Sequence, residues 1–231
     1  MRIKGLQKLT LLDFPGKIGA TVFLGGCNFR CPFCHNASLV IGEKLSLSPT
    51  LPEEEFFSFL CKRRGILEGV CVSGGEPTLM PDILPFLNKI KELGFLVKLD
   101  TNGARPDVLK AAVRERLIDY VAMDIKNSKE KYGLTVGIPN FDISPILESV
   151  DFLMNGECEF EFRTTLVRGL HTEEDMISIG RWITGAPRYF LQTFIDSGDI
   201  IGTGFDGYDK NETEALFKTL TPYVKNARIR S

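Results

Sequence analysis

Ile18-Gly19-Ala20-Thr21-Val22-Phe23-Leu24, then Gly25-Gly26, then Cys27-Asn28-Phe29-Arg30-Cys31-Pro32-Phe33-Cys34-His35-Asn36 is the stretch on which the reading of the fold turns. The apolar run 18–24 has the length of a short buried strand. Two glycines break it and open a loop. Within that loop three cysteines stand four and three residues apart. Three thiolates on one loop can each hold one iron of a cubane iron–sulfur cluster, whose full ligation by cysteine takes four. No fourth cysteine follows nearby, so one iron would stand open to a substrate.

A structural zinc site is the rival reading. Cys34 and His35 are adjacent and do not easily face one tetrahedral ion together with Cys27 and Cys31, and no second C-x-x-C pair completes a set of four. Cys61, Cys71 and Cys158 are widely separated and read as plain core or surface thiols.

Composition sets wide bounds. The chain has 231 residues, 43% hydrophobic and 25% charged, with a net charge of −2. Those values are ordinary for a globular protein with a normal core. Near-neutral charge argues against nucleic acid or an anionic membrane as partner. Apolar runs are too short to span a bilayer, and the first residues have no secretory h-region. The expected compartment is the cytoplasm, where a C-x3-C-x2-C cluster favours metal over disulfide.

Beyond an apolar arm at 1–17, one theme recurs six times: an apolar, β-rich run followed by a helical pattern. The strands are expected at 18–24, 68–73, 95–100, 120–125, 159–167 and 188–194. Helices are expected at 52–64, 81–93, 107–116, 144–153, 176–184 and 209–226, with Thr172-Glu173-Glu174-Asp175 as a cap. Alternation of this kind implies right-handed crossovers and a parallel sheet in an α/β fold. A single domain over 1–231 is the simplest organisation, with 1–17 packing beneath the first strand.

The unusual residues fall after or within these strands. Ser73-Gly74-Gly75-Glu76-Pro77 ends the second, Asp100-Thr101-Asn102-Gly103 the third and Asp124-Ile125-Lys126 the fourth; Arg163 lies inside the fifth. Parallel α/β sheets bind ligands at the carboxyl ends of their strands. Each feature also has a plainer explanation. The glycines can serve a tight turn, and Glu76 either orients a ligand amino group or caps that turn. Asp100 and Asp124 can be helix caps. Lys126 points to the same side as Asp124, and either pairs with it or holds a carboxylate. Arg163 in an apolar strand needs a partner, either a ligand or a core carboxylate. His35 reads as a residue that orients the cysteine loop, and His171 as a loop residue.

Together these residues resemble a known family. Cys27-x3-Cys31-x2-Cys34 followed by Gly74-Gly75-Glu76-Pro77 resembles the radical S-adenosylmethionine (SAM) enzymes. Cys34-His35-Asn36, Asp100-Thr101-Asn102-Gly103 and Asp124-Ile125-Lys126 are similar to motifs of the glycyl radical enzyme activating enzymes. The opening Leu11-Leu12-Asp13-Phe14-Pro15-Gly16-Lys17 looks most like the activating proteins of anaerobic ribonucleoside-triphosphate reductases. The resemblance implies a partial (β/α)6 TIM-like barrel with parallel strands. It implies a [4Fe-4S] cluster on Cys27, Cys31 and Cys34, with S-adenosyl-L-methionine chelating the fourth iron. Gly74, Gly75 and Glu76 would contact its amino group, and Asp100, Lys126 and Arg163 would belong to its site.

The implied reaction is reductive cleavage of SAM to a 5′-deoxyadenosyl radical, which abstracts a glycine hydrogen on a protein partner. A flavodoxin or ferredoxin-type donor would supply the electron. Two departures stand out. Pyruvate formate-lyase activases carry a histidine near the end of the last strand, where this chain has Leu191-Gln192-Thr193-Phe194. The cysteine-rich ferredoxin-like insert of some activases is absent, so one cluster is expected. Two other functions compete: a radical SAM enzyme acting on a small molecule, as in 7-carboxy-7-deazaguanine synthase, and a small iron–sulfur electron carrier. The carrier would need a fourth cysteine ligand and leaves the glycine and aspartate motifs idle.

Overall fold

The alternation read from the sequence is present in the computed structural model, which describes residues 1–156 and 158–230. Eight strands follow chain order through one sheet. They are β1 (Ile3–Thr10), β2 (Gly19–Leu24), β3 (Gly69–Gly74), β4 (Leu96–Thr101), β5 (Tyr120–Asp124), β6 (Glu159–Leu166), β7 (Tyr189–Thr193) and β8 (Ala227–Arg230). The pairs β2–β3, β3–β4, β6–β7 and β7–β8 are parallel, and β1–β2 is antiparallel. The fold is α/β with a mostly parallel sheet. Among the described residues no helix is long and apolar enough to cross a membrane.

The residues group into two compact units. The first comprises Met1–Asn28, Ser38–Thr101 and Arg105–Val121; the second comprises Phe29–Ala37, Asn102–Ala104 and Ala122–Ser231. In the first unit β2 and β3 are nearly all buried, as parallel strands covered on both faces must be. The helices Glu53–Cys61 and Ile83–Glu92 lay apolar stripes inward, and Phe56 stacks on Phe86 with centroids 5.4 Å apart. Burying each such side chain contributes about 1.5–3 kcal/mol.

In the second unit the helix Glu173–Trp182 starts from a capping box formed by Thr172 and Asp175. The helix Lys210–Leu220 does the same with Asp209 and Glu212. Each box satisfies backbone N–H groups that the first helical turn leaves without partners. Tyr132 stacks on Phe141 at 5.7 Å, and the Tyr189 hydroxyl donates to Thr164 Oγ1 at 2.7 Å.

Two strands escaped the sequence reading. The arm expected at 1–17 is in large part β1, paired with the outer edge of β2. Residues 4–6 are only half-buried and Gln7, Lys8 and Leu9 are exposed, so no strand period shows. Ile3 is fully buried, and Phe14 lies under Gly69, where an added Cβ would come within 2.8 Å of its ring. Leu9, Leu11 and Leu12 are exposed. β8, four residues with two arginines, carries too little apolar signal to be read as a strand.

Candidate active site

In the first unit, the turn after β3 is built against the backbone that leads to Cys27. Gly74 has φ +126°, and a Cβ there would lie 2.2 Å from the Leu24 carbonyl oxygen. A Cβ on Gly75 would lie 2.1 Å from the Gly26 carbonyl oxygen and 3.3 Å from Cys27 Cβ. Only glycine fits both positions. The Gly75 amide donates to Leu24 O at 2.9 Å and the Glu76 amide to Gly26 O at 2.8 Å. The sequence reading expected close approach to a ligand; the close approach that the glycines make possible here is to the β2 segment itself.

Glu76 is buried, 1% exposed. Its Oε1 accepts from the Thr78 amide at 3.0 Å, from the Thr78 hydroxyl, and from the Thr101 hydroxyl at 2.8 Å. It caps the turn through Thr78, and the Thr101 bond ties that turn to β4. Asp100 is no helix cap. Its carboxylate pairs with Lys98 Nζ and accepts from Ser73 Oγ at 2.9 Å. Lys98 is 1% exposed, with its ammonium also 3.8 Å from Cys71 Sγ. Sequence reasoning missed Lys98, although a lysine inside Leu96-Val97-Lys98-Leu99, in phase with Asp100, was the signal.

The second unit holds Cys31, Cys34, Asp124, Lys126 and Arg163. Cys31 is buried and Cys34 partly so, and the Cys34 amide donates to Cys31 O at 3.0 Å in a tight turn. The loop around them is secured by distant residues. The Arg30 amide donates to Val136 O at 2.9 Å, and Gly202 N–H to Pro32 O at 2.6 Å. Gly137, at φ +69°, lets the helix end at Val136 come close: a Cβ there would sit 2.3 Å from Arg30 O. Phe29 meets Phe141 edge-on at 5.5 Å. His35 is exposed, and its carbonyl accepts from Ser197 Oγ at 3.4 Å.

Asp124 ends β5 between two cations. Its Oδ2 lies 2.8 Å from Lys126 Nζ and its Oδ1 3.0 Å from Arg163 Nε. Burial pushes its carboxyl up; the charges of Lys126 and Arg163 outweigh that and hold it well below the usual carboxylate range. Burial likewise pushes the Lys126 ammonium down, while Asp124, then Cys31 and Cys34, hold it well above its ordinary value. The arginine that needed a partner thus has Asp124, and so does Lys126.

His171 lies in the connection after β6, the loop residue expected, and is fully buried there. The Val167 amide donates to its Nδ1 at 3.1 Å, which leaves the proton on Nε2, 2.8 Å from the Lys126 carbonyl oxygen. Burial holds its imidazole below the ordinary value, so the ring is neutral at pH 7. Gln192 and Thr193 lie at the end of β7, half-buried.

None of Cys27, Cys31 and Cys34 is in a disulfide. Among the described residues no three His, Cys, Asp or Glu side chains gather around one ion. A cubane, each of whose irons takes its own cysteine, asks for no such gathering. A thiolate-bound, anionic cluster also fits the ammonium of Lys126, whose charge interacts with Cys31 and Cys34.

The sequence profile of the Radical SAM superfamily matches residues 21–183. A protein of Methanocaldococcus jannaschii named as a glycyl-radical enzyme activating enzyme is 32% identical over 99% of this chain and 95% of its own length. The pyruvate formate-lyase-activating enzyme of Clostridium pasteurianum is 33% identical over 54% of this chain and 52% of its own. In fold, the chain is similar to a solved domain of the pyruvate-formate lyase-activating enzyme from Bacteroides vulgatus. That likeness has a TM-score of 0.58 at 19% identity, over 71% of this chain and 99% of the domain. With the profile spanning most of its length and a relative matched almost end to end, the chain belongs to the radical SAM superfamily, among its glycyl-radical enzyme activating enzymes.

Proposed function

We propose that this chain activates an anaerobic ribonucleoside-triphosphate reductase by placing a glycyl radical on it, and that residues 1–231 act as one radical SAM domain in the cytoplasm. Membership of the superfamily implies a [4Fe-4S] cluster and SAM as cofactors. When bound, they supply a strongly reducing electron and a 5′-deoxyadenosyl radical that takes a hydrogen atom from a glycine Cα.

The chain's own residues hold and orient. Cys27, Cys31 and Cys34 ligate three irons. Gly74 and Gly75 offer carbonyl oxygens to the methionyl ammonium, because the amides of Gly75 and Glu76 are taken by Leu24 and Gly26. Glu76 keeps that turn in shape through Thr78 and Thr101. Lys126 and Arg163 supply positive charge for the methionyl carboxylate, and Asp100, steadied by Lys98 and Ser73, completes the SAM site.

One observation carries this reading: Asp124 lies between Lys126 and Arg163, and the Lys126 ammonium is held well above its ordinary value by Asp124 and by Cys31 and Cys34. The choice of reductase as partner rests on the Leu11–Lys17 segment, whose Leu11 and Leu12 are exposed. A flavodoxin or ferredoxin-type protein is the proposed electron donor.

The test is anaerobic reconstitution with iron and sulfide, reduction by dithionite and addition of SAM. The expected product is 5′-deoxyadenosine, with a glycyl radical signal by electron paramagnetic resonance when the reductase is added. Cys31→Ala is expected to lose the cluster iron and both signals. Cleavage of SAM without a radical on the reductase would remove the partner assignment. No cleavage by the fully loaded protein would remove the whole reading.

A further inference from the structure

His171 occupies a place that neither its sequence context nor the ligand set explains. It follows β6, is fully buried, and touches both the Lys126 segment and the cysteine turn of the second unit. On one side its Nε2–H donates to the Lys126 carbonyl at 2.8 Å. On another, its ring meets Phe33 edge-on with centroids 6.5 Å apart. Phe33 is the residue before Cys34, and its opposite contact is Phe194, also edge-on, at 6.4 Å. The ring is itself braced: the Val167 amide donates to Nδ1 at 3.1 Å, and the Tyr208 hydroxyl donates to the His171 carbonyl. Next door, Asn127 Nδ2 donates to Leu170 O at 2.9 Å, so the peptides on both sides of the contact are fastened.

A lysine ammonium on a four-carbon stem is a mobile charge unless both ends are held. Asp124 holds the ammonium of Lys126 at 2.8 Å. His171 holds the backbone end. We propose that His171 is a positioning residue that sets the Lys126 ammonium against the Phe33 turn of the cysteine loop, so that SAM meets its cation at the right distance from the cluster. The inference rests on the function proposed above, in which Lys126 serves the methionyl carboxylate.

Two variants separate the bond from the bulk of the ring. In His171→Asn, the side-chain oxygen takes the place of Nδ1 and keeps the Val167 bond, while the donor to Lys126 is lost. In His171→Gln, the amide nitrogen reaches the place of Nε2 and keeps that donor. Each protein is reconstituted, reduced and titrated with SAM, and the change in the cluster's paramagnetic resonance spectrum is followed together with iron content.

The expected result is a half-saturating SAM concentration raised about tenfold in the Asn variant, as for a buried carbonyl left without its donor. The Gln variant stays within about twofold of the parent, and iron content is unchanged in both. If His171→Asn does not fold, His171→Gln decides alone: near-parental titration supports the role and a tenfold loss with full iron overturns it. Equal losses in the two variants, no loss in the Asn variant, or failure of both to fold assigns the ring to the core and overturns it. A parent protein with full iron and no spectral response to SAM is a different outcome, which fails the proposed function and this inference with it.

Discussion

Two aspartates close strands in this molecule, and each has a lysine two residues away, in mirror order. On β4 the sequence is Lys98-Leu99-Asp100, and on β5 it is Asp124-Ile125-Lys126. The first pair is closed. Lys98 is 1% exposed and Asp100 15%, and the two pair, with the Ser73 hydroxyl donating to Asp100. The second is open. Asp124, Lys126 and Arg163 keep 27%, 21% and 14% of their side chains exposed, and both cations reach Asp124. Similar local sequences thus give a Lys–Asp contact whose lysine is sealed in the core and a Lys–Asp–Arg contact whose members all keep some exposure. The difference lies in the third partner, which comes from another strand and is invisible to local spacing.

Breaking the closed pair should have the larger effect. Asp100→Asn takes the Asp100 carboxylate away from the buried Lys98 ammonium, and a loss of about 3–5 kcal/mol is expected in urea unfolding. Replacing both residues by apolar ones of similar volume should recover most of it. A loss below about 1 kcal/mol for Asp100→Asn would mean that the pair is wetter than its burial indicates.

Asp124→Asn should cost less, about 1–2 kcal/mol at neutral pH after allowance for solvent screening. Its clearer mark is on pH dependence. The folded-state carboxyl lies below its ordinary value, so its contribution is present above a pH of about 4 and fades as pH falls below that. Stability measured from pH 6 downward should therefore fall less steeply in Asp124→Asn than in the parent. Parallel curves would detach Asp124 from the acid limb. The smallest change is expected for Arg163→Gln, about 1 kcal/mol or less, because Lys126 still neutralises Asp124. If it matched Asp124→Asn in unfolding, the two cations would not be sharing one carboxylate.

How much of this was legible follows from where the signal lies. β2, β3 and β5 announce themselves because strands buried on both faces are apolar at nearly every position. β1 does not, since it lies at the sheet's edge with Gln7, Lys8 and Leu9 exposed. Strand ends pointed to Asp100, Asp124 and the glycine turn. They could not point to Lys98 or His171, which lie inside a strand and inside a short connection and owe their meaning to burial. The glycines at 74 and 75 were visible, but the sequence could not tell a ligand from the Leu24–Gly26 backbone as the thing approached.

The anchors of the cysteine loop also set an order of events during synthesis. Ser197 meets His35 across a separation of 162 residues, and Gly202 and Asp199 bond Pro32 and Ala37 from equally far downstream. At about 5–20 residues per second the ribosome delivers those partners about 10–30 seconds after the thiols emerge. Through that interval the thiols lack the downstream half of their native surroundings. Loading with iron and sulfide therefore belongs after translation, and air reaching the nascent chain would do its harm before the fold can shelter these sulfurs.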